Sequence, residues 1–243
     1  MIQQLLVFLA VTTAYTVAYV PSFLPEHLAE YSHSVVDDST KATCDTTMLN
    51  QCTLAFYNQF APGPVPFSNE TVFQMALQQY LNVQGVDGWA NIKTWMNTLV
   101  TCVGGQQAYF NCYNWTGLMT AWNINDLTAK QWNVRFLSLD YDCGPGYPVL
   151  IQNFYCIQGV AMHEGPVIQQ CVANFTAAQT NQPSMTCQNI VNYLTCVEYP
   201  YITHCGPAAG GLVCHGERIA YYVYNPECAS QAQLHCQGAP GKK

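Results

Sequence analysis

Thirteen cysteines constrain what this chain can fold into more than any other feature of its sequence. The closest along the chain, Cys44 with Cys52 and Cys228 with Cys236, are eight residues apart, so the paired C-x2-C steps of zinc sites are missing. In an exported protein such a set is typical of a disulfide framework. We therefore predict disulfide bonds among Cys44, Cys52, Cys102, Cys112, Cys143, Cys156, Cys171, Cys187, Cys196, Cys205, Cys214, Cys228 and Cys236.

The amino-terminal segment predicts export. Apolar residues dominate from Leu5 to Ala18, and the run is shorter than the roughly 20 apolar residues of a membrane-spanning helix. Thr16 and Ala18 suit cleavage after Ala18, and Ala14 offers a second option. We interpret residues 1–18 as a signal peptide, 19–43 as a flexible leader, 44–236 as a cysteine-rich helical domain and 237–243 as a disordered tail.

The odd number of cysteines leaves at least one thiol outside the framework. Four cysteines precede Asp140 and nine follow it, and the sequence does not identify the unpaired one. A spare cysteine can pack in the core as a small hydrophobic residue, which is the interpretation we favour. The alternative is a covalent homodimer through the odd cysteine.

Charge excludes two classes of partner. Charged residues make up 9% of the chain, against roughly 25% in an ordinary globular domain, and the net charge is −7 with only seven Lys and Arg. A nucleic-acid binder needs a cationic surface, and so does a protein that binds anionic lipid through a basic patch. No segment after residue 18 is long and apolar enough to span a bilayer. The expected partner is an unknown extracellular molecule.

Three N-x-[ST] sequons predict that the exported chain is a glycoprotein. Their acceptors are Asn69, Asn114 and Asn174. Asn114 is the least expected to be modified, because Trp115 occupies the middle of its sequon.

Helical periodicity predicts a mainly α fold of small helices with little or no β structure. Ser68 or Asn69 can cap a helix that buries Phe73, Leu77, Tyr80 and Leu81. A second helix, capped by Asp87, ends at Gly104-Gly105 and presents an apolar face of Trp89, Ile92, Met96, Leu99 and Val103.

The pattern is less regular from there to Tyr141. Weak alternation leaves room for a strand at residues 134–139, and Trp115, Trp122 and Trp132 are the expected core anchors.

Four further helices are expected after Gly146. Gly165-Pro166 separates the first two, Ser184 can cap the third, and the fourth lies around residues 211–224. Cys187 and Cys196 lie nine residues apart on the third, about 13.5 Å along its axis, whereas a disulfide needs Cα atoms within about 7 Å. These two cysteines therefore cannot pair with each other and should tie the helix to two different neighbours.

No motif specifies catalysis, a cofactor or a metal. His163-Glu164 begins like a metalloprotease motif but lacks the second histidine, and neither a G-x-S-x-G elbow nor a phosphate-binding loop occurs. His204, His215 and His235 each neighbour a cysteine that a disulfide should consume. The expectation is a protein that is not an enzyme, with no catalytic, cofactor-binding or metal-ligating residue.

The run Tyr141–Tyr147 (YDCGPGY), then residues 150–157, Cys171, Cys187, Cys196 and Cys205, resembles nematode cysteine-rich secreted proteins. These proteins carry the domain of unknown function numbered nineteen, which is related to the chondroitin proteoglycan four domain. The resemblance spans roughly residues 44–236 and implies a secreted helical domain with six disulfides and no catalytic residue. No serine here precedes a glycine, so the Ser-Gly attachment point of chondroitin is missing.

The leading functional expectation is a secreted, disulfide-rich, non-enzymatic module that binds an extracellular partner or serves a structural role. The alternative is a carrier of a small apolar ligand, since aromatic side chains can line a pocket between helices. Ordinary core packing also explains those aromatics.

Overall fold

The computed structural model of the chain describes residues 44–228 and residue 236. Within these residues the chain forms ten α-helices and two short 3-10 turns, with no strand and with six disulfides. The predicted mainly α fold cross-linked by about six disulfides is confirmed. The predicted signal peptide, leader and tail lie outside the described residues.

The described helices belong to two compact units that divide between Gly144 and Pro145. The expectation of one helical domain over residues 44–236 stays a prediction. The amino-terminal unit contains α1 (Thr46–Tyr57), α2 (Glu70–Gln84), α3 (Val86–Cys102), α4 (Gln106–Tyr113), α5 (Trp115–Trp122) and α6 (Asp126–Cys143). The carboxy-terminal unit contains α7 (Tyr147–His163), α8 (Gly165–Asn181), α9 (Thr186–Cys205) and α10 (Pro207–Tyr224). None of these helices is long and apolar enough to cross a membrane.

An aromatic cluster fills the core of the amino-terminal unit. Trp132 packs against Phe73 and Phe136 with ring centroids 4.9 and 5.7 Å apart, and it also contacts Trp122 at 5.2 Å. The Trp132 indole donates a hydrogen bond of 2.8 Å to the Phe67 carbonyl, so its polar atom is satisfied in the interior. Helices α2, α5 and α6 therefore meet around one tryptophan.

Helices α2 and α3 follow their predicted apolar faces. Phe73, Leu77 and Leu81 are buried on α2, whereas Tyr80 is partly exposed. The five residues expected on the next face are all buried, four on α3 and one at its C-cap: Trp89, Ile92, Met96, Leu99 and Val103. The predicted cap of α3 was wrong. Gly85, with a φ of 60°, occupies that position, and Asp87 lies in the first turn. Glycine enters this left-handed conformation without the Cβ penalty, and the predicted stop at Gly104-Gly105 uses the same freedom, with φ of 105° and 97°.

The region expected to be irregular is helical. The possible strand at residues 134–139 was wrong, because these residues form the middle of α6. Trp132, Phe136 and Leu139 recur at intervals of three and four and are buried together, so burial of this face outweighs the weak alternation. Trp122 and Trp132 are core residues, while Trp115 is partly exposed.

Helix α9 is the most cross-linked element of the carboxy-terminal unit. Its cysteines Cys187, Cys196 and Cys205 bond respectively to Cys228, Cys171 and Cys156. Cys187 and Cys196 thus tie the helix to two different neighbours, as their helical spacing predicts. The expected cap Ser184 was wrong, since it lies in the 3-10 turn Pro183–Met185 that precedes α9. Helix α10 begins at Pro207, earlier than residue 211.

Candidate functional site

The structure identifies Cys143 as the unpaired cysteine. It is the last residue of α6 and is buried. Burial raises the pKa of its thiol well above the ordinary value, with smaller contributions in the same direction from Asp142 and Asp140. A buried thiol of high pKa is a poor nucleophile and lies out of reach of a second copy. Cys143 therefore has the character of a small core residue.

Asp142 precedes this cysteine and is an isolated acid in the core. It is fully buried, and neither carboxyl oxygen has a hydrogen-bond partner in the part of the chain that the structure describes. Burial raises the pKa of Asp142 well above its usual range, and the positive charge of Arg135 opposes that shift. Its sequence neighbour Asp140 is partly exposed and accepts a hydrogen bond of 3.0 Å from the Gln106 side chain. The two carboxyl groups occupy different environments and do not flank a common cleft.

Two grooves open on the surface of the amino-terminal unit, each with a disulfide in its wall. The smaller, about 110 Å³, is lined by Cys44, Cys112 and neighbouring residues of α1 and α4, including Met48 and Asn111. The larger, about 250 Å³, lies between α1 and α3 beside the Cys52–Cys102 disulfide. Drug-sized ligands usually occupy pockets of about 300–1,000 Å³, so both grooves suit only a small molecule or a single side chain.

The larger groove has an apolar wall. Ala55 and Phe56 of α1 face Trp95 and Leu99 of α3 across it, and Gln59 and Thr98 supply its polar atoms. The Gln59 amide donates to the Ala55 carbonyl at 3.2 Å and the Thr98 hydroxyl donates to the Thr94 carbonyl at 3.0 Å. Because apolar side chains make up most of its wall, the groove suits an apolar group better than a polar one. We call it the α1–α3 groove.

A carboxylate surrounded by tyrosines lies between α8, α9 and α10 of the carboxy-terminal unit. The Tyr193 hydroxyl donates to Glu217 Oε2 at 3.0 Å, and Tyr221 lies one turn beyond Glu217 on the same face of α10. Burial raises the pKa of Glu217, and the hydrogen bond from Tyr193 opposes that change. Burial and the Glu217 charge together raise the pKa values of Tyr193, Tyr201 and Tyr221, so these phenols stay protonated.

The histidines singled out by the sequence lie apart from one another. His163 is exposed at the end of α7, and Oε1 of its neighbour Glu164 lies 3.3 Å from His204 Nε2. His215 is buried in α10, where burial and the nearby Arg218 lower its pKa to about 2, so it is neutral at physiological pH. Across the described ranges, no three His, Cys, Asp or Glu side chains come close enough to hold a metal ion. His235 lies outside the described residues.

The three sequon asparagines differ in what their side chains do. Asn69 is exposed at the N-cap of α2 and makes no side-chain capping bond. Asn174 is exposed on α8 and accepts a hydrogen bond of 2.8 Å from Gln170. Asn114 caps α5: its Oδ1 accepts from the Gly117 amide at 2.7 Å, and its Nδ2 donates to the Asn111 carbonyl at 2.6 Å. Only the first two present an amide nitrogen that is free of a close backbone bond.

Comparisons of the chain with protein-family models, with curated proteins and with solved structures find no match. Function must therefore be argued from the grooves, the disulfides and the buried polar groups themselves. Sequence reasoning missed Glu217 and the α1–α3 groove. The i, i+4 spacing of Glu217 and Tyr221 could have indicated that they share a helical face. The groove depends on the pairing of cysteines far apart in sequence, which no local pattern predicts.

Proposed function

We propose that this chain is an exported, non-enzymatic extracellular module that binds a partner or serves a structural role. The pairing of twelve of its thirteen cysteines within the two units supports this proposal. Disulfides persist in oxidising compartments and are rare in the cytosol. The predicted signal peptide and the resemblance to nematode cysteine-rich secreted proteins point to the same compartment.

The arrangement of the titratable groups supports a non-enzymatic role. Acid–base catalysis needs a group with an adjusted pKa within hydrogen-bond reach of a bound substrate. Asp142, Cys143 and His215 have strongly shifted pKa values but are buried, and they do not line either groove of the amino-terminal unit. Burial alone accounts for the largest part of each shift.

Expression of the full chain in a eukaryotic secretory cell tests the proposal. We expect the protein in the medium, beginning at Tyr19 after removal of residues 1–18, with a mass that shows six disulfides. Amino-terminal sequencing and intact mass before and after reduction provide both readouts. Retention inside the cell with an intact amino terminus and reduced cysteines would contradict export.

The α1–α3 groove supports a second candidate function, a carrier of a small apolar ligand. The Cys52–Cys102 disulfide, with Cα atoms 5.8 Å apart, holds the two walls of the groove together. The groove is therefore formed before a ligand arrives, which reduces the ordering cost of binding.

N-phenyl-1-naphthylamine, an apolar dye that fluoresces in dry surroundings, is a suitable probe. We expect its fluorescence to rise with the wild-type protein and its affinity to fall about tenfold or more in Ala55→Phe, which fills the groove. Ala90→Phe places the same side chain at an exposed position of α3 outside the groove and should leave the affinity unchanged. Equal binding by all three proteins, or no binding, would exclude the carrier function of this groove.

A further inference from the structure

Glu217 is a carboxylate partly withdrawn from water, and the described part of the chain gives it no ion-pair partner. It is partly exposed on α10, and its Oε2 accepts the hydrogen bond from the Tyr193 hydroxyl. Among the residues that the structure describes, this is its one hydrogen bond, and none of the ion pairs involves it. Oε1 thus has no donor within residues 44–228. The three tyrosines nearby contribute polar hydroxyls but no positive charge.

Three aromatic rings pack beside this carboxylate and form a wall. Phe175 of α8 lies 5.1 Å from Tyr193 and 5.7 Å from Tyr221, and the two tyrosines are 5.9 Å apart, measured between ring centroids. Tyr221 stands at 74° to Phe175 and 72° to Tyr193. Phe175 and Tyr193 are buried, whereas Tyr221 is partly exposed. The accessible ring is therefore the one that shares a helical face with Glu217.

A carboxylate and an accessible aromatic ring on one face attract the same kind of ligand. The negative face of an aromatic ring draws an ammonium or guanidinium group, and a carboxylate accepts its N–H bonds. Partial withdrawal from water strengthens both attractions because the surroundings are less polarisable than bulk solvent. The raised pKa of Glu217 reflects the same withdrawal.

The cation next to Glu217 in sequence packs against another ring. Arg218 follows Glu217 in sequence but is buried, with its guanidinium 5.3 Å from the centre of the Tyr222 ring. One residue of helix turns a side chain by about 100°, which directs Arg218 and Glu217 to different faces of α10. The net charge of −7 further favours approach of an external cation.

We propose that Glu217 and Tyr221, with Tyr193 holding the carboxylate, form a binding site for an organic ammonium group. The ammonium donates to Oε1 of Glu217 and rests against the Tyr221 ring. This inference does not depend on export of the protein or on the α1–α3 groove, which belongs to the other unit.

A titration of the protein labelled with ¹³C at its glutamate carboxyl carbons tests this site. The probes are n-butylammonium chloride and its uncharged analogue 1-pentanol, at constant ionic strength and near neutral pH. We expect n-butylammonium to move the Glu217 resonance in a saturable way and 1-pentanol to leave it in place. Acetyl-lysine methylamide, added in a third titration, shows whether a lysine side chain is preferred over a free amine. Binding of either cation supports the site.

Two variants separate the site from a general charge effect. Glu217→Gln keeps the shape of the side chain and should weaken n-butylammonium binding about tenfold or more. The shift of the tyrosine ring resonances measures this affinity. Glu227→Gln removes an exposed carboxylate from the same unit and should leave binding unchanged. Circular dichroism and thermal melting establish that both variants are folded.

A second measurement needs no variant. A cation beside Glu217 favours its ionised form, so saturating n-butylammonium should lower the pKa of Glu217 in the wild-type protein. Burial and the Tyr193 hydrogen bond set the pKa of Glu217 in the free protein, and the Glu217 charge in turn raises the pKa values of Tyr193, Tyr201 and Tyr221. An unchanged pKa, equal binding of n-butylammonium and 1-pentanol, or equal affinity in Glu217→Gln would overturn the proposal.

Discussion

Arg135 Nε donates to Glu70 Oε1 at 2.6 Å, joining α6 to the first turn of α2. The two side chains are only 13% and 7% exposed, which makes this an ion pair removed from most of its solvent. Glu70 also lies where the partial positive charge of a helix amino terminus favours an acid. The pair therefore holds two helices that both contribute to the aromatic core.

Replacing Arg135 with Met should destabilise the protein strongly. The substitution leaves Glu70 buried without its cation, and it removes the charge that opposes the raised pKa of Asp142. Loss of one partner of a buried pair typically costs about 3–5 kcal/mol. The free energy of unfolding in urea, compared with wild type, measures this cost.

Lys130→Met is the matched control on the same helix. Lys130 pairs with Asp126 at 2.9 Å, but the Asp126 side chain is 59% exposed. Exposed pairs are worth about 0.2–1 kcal/mol, so this variant should remain close to wild type. If the two variants lose the same stability, the Glu70–Arg135 pair has no special role in joining α2 to α6.

Asp142→Asn should stabilise the protein at alkaline pH but not at acidic pH. The folded-state pKa of Asp142 is raised above its unfolded-state value, so ionisation favours the unfolded chain. The loss of stability begins as the pH rises through the unfolded-state pKa and is complete above the folded-state pKa. Below the unfolded-state pKa the carboxyl is neutral in both states and the cost vanishes. We expect a gain of at least about 1 kcal/mol near pH 8 and little change near pH 4.

Urea unfolding at the two pH values checks this expectation. Asp87→Asn, which removes an exposed carboxylate of the same unit, controls for the lost charge. A difference between Asp142→Asn and wild type that is the same at both pH values would show that Asp142 has an ordinary pKa in the folded state.

Cys143 should resist alkylation until the protein unfolds. Its thiol is buried and its pKa is raised, so both access and thiolate formation are suppressed. We expect no adduct with N-ethylmaleimide under native conditions, one adduct in guanidinium without reductant, and none in Cys143→Ala. Intact mass provides the count. A dimeric mass that halves on reduction would instead place the odd cysteine between two chains.

Local features of this fold were predictable, because helical geometry alone determines them. The burial of Phe73, Leu77 and Leu81 follows from their spacing, and so does the inability of Cys187 and Cys196 to pair. Helix starts were harder to predict. Gly85 takes the N-cap position where Asp87 was expected, and Ser184 lies in a 3-10 turn instead of capping α9. Tertiary packing determines where these helices begin.

The candidate sites were less predictable because their parts come from distant segments. Glu217 and Tyr221 lie four residues apart on α10, but Tyr193 contacts them only because α9 packs on α10. The wall of the α1–α3 groove requires Cys52 to pair with Cys102, one of many pairings open to thirteen cysteines. The burial of Asp142 likewise depends on how α6 packs against its neighbours. The sequence pattern at residues 134–139 suggested a strand and so did not indicate this helix.

The sequons should be used unequally, with glycans on Asn69 and Asn174 and none on Asn114. The Asn114 amide nitrogen already donates to the Asn111 carbonyl at 2.6 Å, while Asn69 and Asn174 are exposed. Enzymatic removal of N-glycans converts each modified asparagine to aspartate, which peptide mass spectrometry detects. Full occupancy at Asn114 would contradict this assignment.

The capping role of Asn114 gives the same prediction an independent test in protein without glycans. Asn114→Ala removes the acceptor for the Gly117 amide and should cost about 1 kcal/mol in the free energy of unfolding. Asn174→Ala removes an exposed side chain bonded only to the Gln170 amide and should change stability by less than about 0.5 kcal/mol. Because both variants delete a sequon asparagine, one at a helix cap and one inside a helix, a larger loss in Asn114→Ala assigns the difference to the cap. Equal losses would mean that the α5 cap contributes no more to stability than the exposed Asn174 side chain.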